Sequence, residues 1–531
     1  MARTQSRTPG RERVLRPARR LCSVCGGAMR IRYENRRTLA TLSGTVRLRL
    51  KIRRCEAEGC ARYHRPYRPE AEGALALPQH EFGLDVVALV GALRHRNHRS
   101  VPEIHATLRA RGVPIAERSV TNLLDRYDEV LATQLGDTDH LRRRLGGQGR
   151  IILALDGLQP DVGHEVLWVL RDCLSGTVLL ARSLLSGTAE DLAALLREVV
   201  EGVGVPVAGV ISDGQHSIRK AVGEVLPGVP HQLCHFHFLR EAALPVFEAD
   251  RHAKKDLKKG VRGVRPIEQT VEGRTDPDAD LVRGYAAAVR SAITDDGRAP
   301  LDASGLRLKG RLGEGGRQPG AGELKRGASR SLARLKHMIA RALARTAPLW
   351  PEVERAYCFV HAAARLLANP AGESGAQVRR RFDGLLAAMQ RHRGRVGGLV
   401  CAVDHFRKVA RSYRPGLFHA AAVPDLPRTN NALEQLFGSQ RYHERRATGR
   451  KTASPGAVLR GSVRLVAGPT TRLQAPSGRD LGRVDHGKWQ NLRRQLERGR
   501  QARTARTRFR RDPDAYLAAL ERQAQQLTLP S

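Results

Sequence analysis

Two pairs of cysteines and three acidic residues are the positions whose types and spacing could do chemistry. Cys22-Ser-Val-Cys25-Gly-Gly is followed by Cys55-Glu-Ala-Glu-Gly-Cys60. Cys-x2-Cys followed by glycine lets two thiolates converge on one tetrahedral ion, the glycine relieving the tight turn. The competing reading is four separate core cysteines in a reducing compartment. Pairing at both ends favours Zn2+, although the wider second pair is less specific. Four thiolates leave no open position, so the zinc is expected to be structural. The acidic residues are Asp156, Asp213 and Glu434. Asp156-Gly157 and Asp213-Gly214 each close an apolar run, and a lone Asp-Gly is most simply a turn. If the two runs are neighbouring strands, both carboxylates share one sheet edge. Like charges held that close call for cations between them, and oxygen donors suit Mg2+ or Mn2+. Thr429-Asn430-Asn431 then opens a helix with capping residues. Leu433, Leu436 and Phe437 mark its buried side, and Glu434 sits on its first turn beside them.

The elements that must position these groups are legible from periodicity. Residues 150–157 form an almost continuous apolar run, the pattern of a buried strand. Val166–Leu170 and Thr177–Leu185 read as two more strands, joined at Ser175-Gly176. Thr188 opens a helix with Asp191 three residues later, and Leu192, Leu195, Leu196, Val199 and Val200 give it one apolar face. A strand over Val207–Ser212 and an amphipathic helix over His216–Leu226 follow. Antiparallel strands followed by a crossover helix suit a mixed sheet with helices on its faces. From Lys254 to Gly327 the Gly, Arg and Asp content predicts a linker with little room for a core. Lys325 to Tyr413 is helical in pattern, with Leu332, Leu335, Ile339 and Leu343 on one face.

Ahead of this block, three helices are expected over Leu84–Arg96, Val101–Arg111 and Glu117–Leu131. Ser100-Val-Pro-Glu103 is a capping box with proline in the first turn, and Gly112 breaks the chain before the third helix. Two short helices joined by a glycine turn suit a helix-turn-helix, whose third helix would offer Arg118, Thr121, Asn122 and Arg126 to a major groove. Trihelical packing with no nucleic-acid role is the alternative.

The central motifs resemble insertion-sequence transposases of the DDE class, which carry a ribonuclease-H-like catalytic domain. The resemblance rests on Leu155-Asp156-Gly157, on Ile211-Ser212-Asp213-Gly214, on Cys234-His235-Phe236-His237, and on Thr429-Asn430-Asn431-x-x-Glu434. The Cys-x2-His pair looks like the mark of the Mutator-like and related bacterial groups, which also place a helical insertion before the Glu. It covers residues 150–240 and 425–450 directly, and the zinc-ribbon and helix-turn-helix front end is similar to that of several such transposases. It implies that Asp156, Asp213 and Glu434 are catalytic and hold two Mg2+ (or Mn2+) ions about 4 Å apart. One ion would activate a water and later a 3′-hydroxyl, the other stabilising the leaving oxygen. Cys234 and His237 could bind Zn2+ only with distant help from His231, Cys358 or His361, so they read as site-adjacent, bracing the catalytic helices, together with Asn431. Tyr442 reads as a packing or phosphate-contacting residue. Arg441, Arg445, Arg446, Arg450 and Lys451 would hold phosphates of entering DNA, with a solvated helix face as their alternative.

Charge supports a polyanionic partner. The 531 residues carry 92 Lys+Arg against 53 Asp+Glu, a net +39. Residues 1–80 hold 19 basic and 6 acidic side chains and residues 441–531 hold 21 and 7, whereas residues 150–240 hold 7 and 10. Basic flanks around a slightly acidic block fit a protein that grips nucleic acid at its periphery and keeps carboxylates for its centre. No apolar stretch is long enough for a membrane span, and no apolar segment follows the basic N-terminus. A cytoplasmic, nucleoid-associated prokaryotic location is expected.

The expected architecture is an α/β ribonuclease-H-like core interrupted by a helical insertion and preceded by a zinc ribbon (1–75) and a helix-turn-helix (80–140). The core would span 148–240 and 426–455, the insertion 241–425 with its linker at 254–327, and a basic tail 456–531. The expected activity is transposition: binding the terminal inverted repeats of an element, cleaving there and joining the ends to target DNA as a homodimer or larger synaptic complex. The alternatives are a catalytically inactive DNA-binding regulator derived from a transposase, and a ribonuclease-H-like nuclease or resolvase.

Overall fold

The computed structural model describes residues 11–159, 164–295, 297–316, 330–450 and 455–528. It is a mixed α/β chain, mostly helical, that divides into two compact units. One unit combines residues 1–207 with 431–531, and the other spans 208–430.

The first unit begins with strands β1 (Arg11–Leu15), β2 (Met29–Thr41), β3 (Gly44–Cys55) and β4 (Pro66–Tyr67). β2 and β3 pair antiparallel from Met29 opposite Cys55 to Thr41 opposite Gly44, β1 adds to β3 in parallel, and β4 pairs the far end of β3. Alternation along β3 buries Leu48, Leu50 and Ile52 against Leu39 and Ala76, the period-2 arrangement of a one-faced sheet. Helices α1 (Leu84–His95), α2 (Val101–Ala110), α3 (Glu117–Leu135) and α4 (Thr138–Gly146) follow. The Ser100/Glu103 capping box forms as the sequence predicts. α3 runs four residues beyond its expected end at Leu131, and α4 adds a helix that the local pattern does not predict. Strands β5 (Ile151–Leu158), β6 (Val166–Asp172) and β7 (Val178–Leu184) then form an antiparallel meander, with Asp156 opposite Val169 and Gly157 opposite Trp168. Helix α5 (Ala189–Val203) starts at Thr188, whose hydroxyl accepts from the Asp191 N–H.

The second unit, from Ala208 on, carries the rest of β8 (Val207–Ser212), then α6 (His216–Val225), β9 (His231–Leu233) and α7 (His235–Ala242). β8 and β9 are parallel, Val210 lying opposite His231. The three-residue β9 is too short for periodicity to reveal. The expected linker from Lys254 is instead helical up to Gly316: α8 (Leu244–Gly260), α9 (Val264–Gln269), α10 (Pro277–Thr294) and α11 (Ser304–Gly316). These helices bury Leu257, Val264, Ile267, Val282, Ala286 and Leu308 in a core shared with α12 (Arg330–Thr346). Its glycines and charges lie largely at helix ends and on exposed faces, where composition alone suggests a linker. The remainder of that segment, 317–329, lies outside the described residues. Helices α13 (Trp350–Ala368), α14 (Gly375–Arg391) and α15 (Val400–Tyr413) build a second core around Phe238, Phe382 and Phe406.

The chain returns to the first unit at α16 (Asn431–Thr448), followed by α17 (Pro455–Leu459), α18 (Gly461–Leu473), α19 (Gly478–Leu481), α20 (His486–Arg511) and α21 (Pro513–Thr528). The expected basic tail is therefore folded. α18 and α20 pack against α3, and the Tyr127 and Thr471 hydroxyls meet at 2.6 Å. Glu129, 1% exposed, receives Arg126 at 2.5 Å, Arg460 at 3.1 Å and the Trp489 indole N–H at 3.2 Å. Removing one partner of a buried ion network leaves the others uncompensated, at a cost of about 3–5 kcal/mol. Glu129→Gln is therefore expected to destabilise this unit by about 3 kcal/mol or more, read as a shifted denaturant midpoint. Among the described residues no helix is long and apolar enough to cross a membrane.

Candidate functional site

The four N-terminal cysteines come together. Their sulfurs all lie within 4.8 Å of one another, with Cys22 to Cys60 at 3.8 Å and Cys25 to Cys55 at 3.5 Å. A tetrahedral ion bound at the ordinary Zn–S length sets its sulfurs about 3.8 Å apart, so the donor set fits Zn2+. The first pair sits on a knuckle turn closed by Gly26 N–H to Cys22 O and Cys22 N–H to Gly27 O, with Gly26 at φ +70. The second pair bridges the end of β3 and the turn after it. The Cys25 and Val24 backbone N–H groups lower the Cys22 thiol to about 6. At Cys55 the Ala57 N–H lowers the pKa, but burial and the neighbouring thiols raise it further, to about 12. Four such groups so close are stabilised by a shared cation. Among the described residues, this is the group of three or more His, Cys, Asp or Glu side chains with metal-holding geometry.

Asp156 and Glu434 both belong to the first unit. Asp156 lies near the end of β5, half-buried, its carboxylate accepting from the Gly157 N–H at 2.8 Å. Gly157 is constrained by packing: a Cβ there would meet Val166 at 2.9 Å and the Trp168 ring at 3.0 Å. Glu434 lies in the first turn of α16, half-buried, between the buried Leu433 and Phe437. α16 packs against β5. Asn431, exposed, is the first residue of that helix.

In the second unit Asp213 directly follows β8, and its carboxylate accepts from the Gln215 N–H at 2.9 Å. It lines an open cavity of about 750 Å3 with His237, Arg219, Glu241 and Tyr413. The Tyr413 hydroxyl lies 3.1 Å from the Asp213 carbonyl and 2.8 Å from the Glu241 carboxylate, and Arg219 stacks over the Tyr413 ring at 4.6 Å. No sequence signal marks Tyr413 or Glu241, because neither belongs to the Asp213 motif. Gly214 has φ +88, and a Cβ there would lie 2.8 Å from the Tyr413 ring. Gly214→Ala is expected to cost about 2 kcal/mol from left-handed strain and crowding, measured as a lowered unfolding midpoint.

Cys234, fully buried, caps the start of α7, and its sulfur accepts the Asn430 N–H at 3.3 Å. The neighbouring His235 ring bonds the Leu417 carbonyl at 2.7 Å, and its backbone N–H bonds Arg428 O. Cys234 thus ties the segment leading to Glu434, and none of the distant zinc partners considered for it joins a metal-holding group among the described residues. His231 bonds Ser212 Oγ at 2.9 Å, and burial pushes both His231 and His235 down to about 4. Cys358 is exposed on α13.

The residues expected to touch DNA divide. Arg118, Thr121 and Asn122 are exposed near the start of α3. Arg126 is not available to a groove, because its guanidinium is committed to buried Glu129. Its spacing is right for the exposed face, but the chain that later covers α3 could not be inferred from the local pattern. Arg441, Arg445, Arg446 and Arg450 are exposed along and just after α16, Arg446 bonding the Tyr442 hydroxyl at 3.1 Å. Lys451 lies outside the described residues. No protein-family model and no curated protein sequence matches the chain.

Proposed function

We propose that the protein is a DNA transposase of the DDE class, with a ribonuclease-H-like core that cleaves the ends of its element and joins them to target DNA. The observation that carries this reading is the packing of α16, with Glu434 in its first turn, against β5, the strand that holds Asp156. Asp213 supplies the third carboxylate at the end of its own strand. All three are partly exposed oxygen donors, a hard, charged set of the kind Mg2+ or Mn2+ takes. Such ions supply activation of a water or 3′-hydroxyl and stabilisation of the leaving oxygen.

The chain's own part is to hold and orient. The Gly157 and Gln215 N–H groups each donate to one oxygen of the Asp156 and Asp213 carboxylates and help to orient them. Cys234 fixes the approach to α16. The exposed arginines of α16 are suited to phosphates beside Glu434, and the exposed start of α3 offers Arg118, Thr121 and Asn122 to a groove in a helix-turn-helix reading. Two element ends must be joined, so a homodimer or larger synaptic assembly on double-stranded DNA is part of the proposal.

The test is strand transfer of a labelled element-end duplex in Mg2+ or Mn2+, paired with Fe2+-generated radical cleavage of the protein. Cuts beside Asp156, Asp213 and Glu434 together support a shared metal site. Specific DNA binding with no transfer and no such cuts would favour the regulator. Cleavage without joining would favour the nuclease or resolvase.

A further inference from the structure

One side of α20 faces solvent. Over 26 residues this helix carries ten Lys and Arg and one Glu. It is firmly seated in the first unit: Trp489 is 1% exposed, and Arg503 and Arg506 both grip the buried Glu165, Arg503 at 2.9 Å. The seated side accounts for Arg503 and Arg506 but not for Arg494, Arg498 and Arg508. At 100° per residue these three share the side opposite Arg503, and all three are exposed. Arg494 bonds only Asn491, at 2.5 Å, and among the described residues no carboxylate pairs with any of the three. Like charges four apart on a helix destabilise it by a few tenths of a kcal/mol. Among the described residues no ion pair offsets that cost.

The three arginines span about 21 Å along the axis, the rise of about six phosphates on one strand of a duplex. A membrane-surface helix would need a broad apolar face. Among the described residues of α20 the exposed large apolar side chain is Phe509, and it packs edge-on against Tyr516 at 5.9 Å. We propose that this side of α20 is a docking surface for the phosphate backbone of duplex DNA, holding it without reading its sequence. The choice of DNA over RNA rests on the transposase reading; the polyanion chemistry does not.

The experiment uses the full chain with a fluorescent 30-base-pair duplex of arbitrary sequence, no divalent cation, and anisotropy titrations across a range of NaCl. The Arg494→Gln/Arg498→Gln/Arg508→Gln variant is expected to bind at least tenfold more weakly near 0.1 M salt. Its plot of log K against log salt should be shallower by about 2–3, since each phosphate contact contributes roughly 0.9. The corresponding triple Lys variant should bind as the parent does, which separates lost charge from lost structure. Unchanged affinity and slope in the Gln variant would overturn the proposal, as would a loss confined to an RNA hairpin or to phosphatidylserine vesicles. Because no cutting is read, binding through this side by a chain that never transfers strands would defeat the transposase reading and leave this one intact.

Discussion

A Glu434→Gln chain is expected to bind duplex DNA like its parent and to join roughly a thousandfold fewer ends. An amide offers a metal ion one neutral oxygen where the carboxylate offers charge. Losing about 4 kcal/mol of stabilisation at the reacting phosphorus corresponds to roughly a thousandfold in rate. The fold should barely respond. Glu434 is only half-buried, in the first turn of α16, and glutamine has nearly the same helix propensity as glutamate. The lost favourable charge near the helix N-terminus costs about 0.3–1 kcal/mol. A melting curve within a few degrees of the parent, unchanged anisotropy binding and absent strand-transfer product are the three expected readings. Equal product from both chains would sink the assignment of Glu434 as a catalytic residue.

Cys55→Ser is expected to abolish zinc binding and unfold the N-terminal sheet. Elemental analysis should fall from about one zinc per chain to near zero. The small core explains the size of the effect: the cluster on the sheet's buried face is Leu39, Leu48, Leu50, Ile52 and Ala76, too little to hold such a small element without a staple. Structural zinc contributes about 10–16 kcal/mol of apparent binding free energy near neutral pH. A chelator should therefore expose β2 and β3 to protease while leaving α12–α15 resistant. Metal-free protein with a protected hairpin would show that the cysteines pack as ordinary core residues.

The sequence was most informative where a local signal and a tertiary need coincide. The Ser100 capping box, the strand at Ile151–Leu158 and the Thr188 helix start are written in consecutive residues, and they fold as those residues suggest. The four-cysteine cluster was legible because its turn chemistry is local at both ends. Legibility failed where the deciding partner is remote. Arg126 reads as a surface residue until Arg460 and Trp489 arrive beside Glu129, and Tyr413 is unremarkable until it lies against Gly214. The stretch after Lys254 failed for another reason: its apolar residues are sparse and small, so composition hides a helical spacing that still suffices to bury Val282, Ala286 and Val289.

The Tyr127–Thr471 hydroxyl contact joins residues 344 positions apart, and Glu129 meets Trp489 across 360. A ribosome working at about 5–20 residues per second needs roughly 17–70 s to supply the second partner after the first. During that interval α3 has an uncovered apolar flank and Glu129 lacks two of its partners, while the chain of residues 208–430 emerges with everything its own cores require. The first unit to begin translation is thus the last to finish folding. A message broken between the codons for residues 430 and 460 would yield a folded second unit and an incomplete first unit, and chaperone dependence should track helices α1–α3 of the nascent chain.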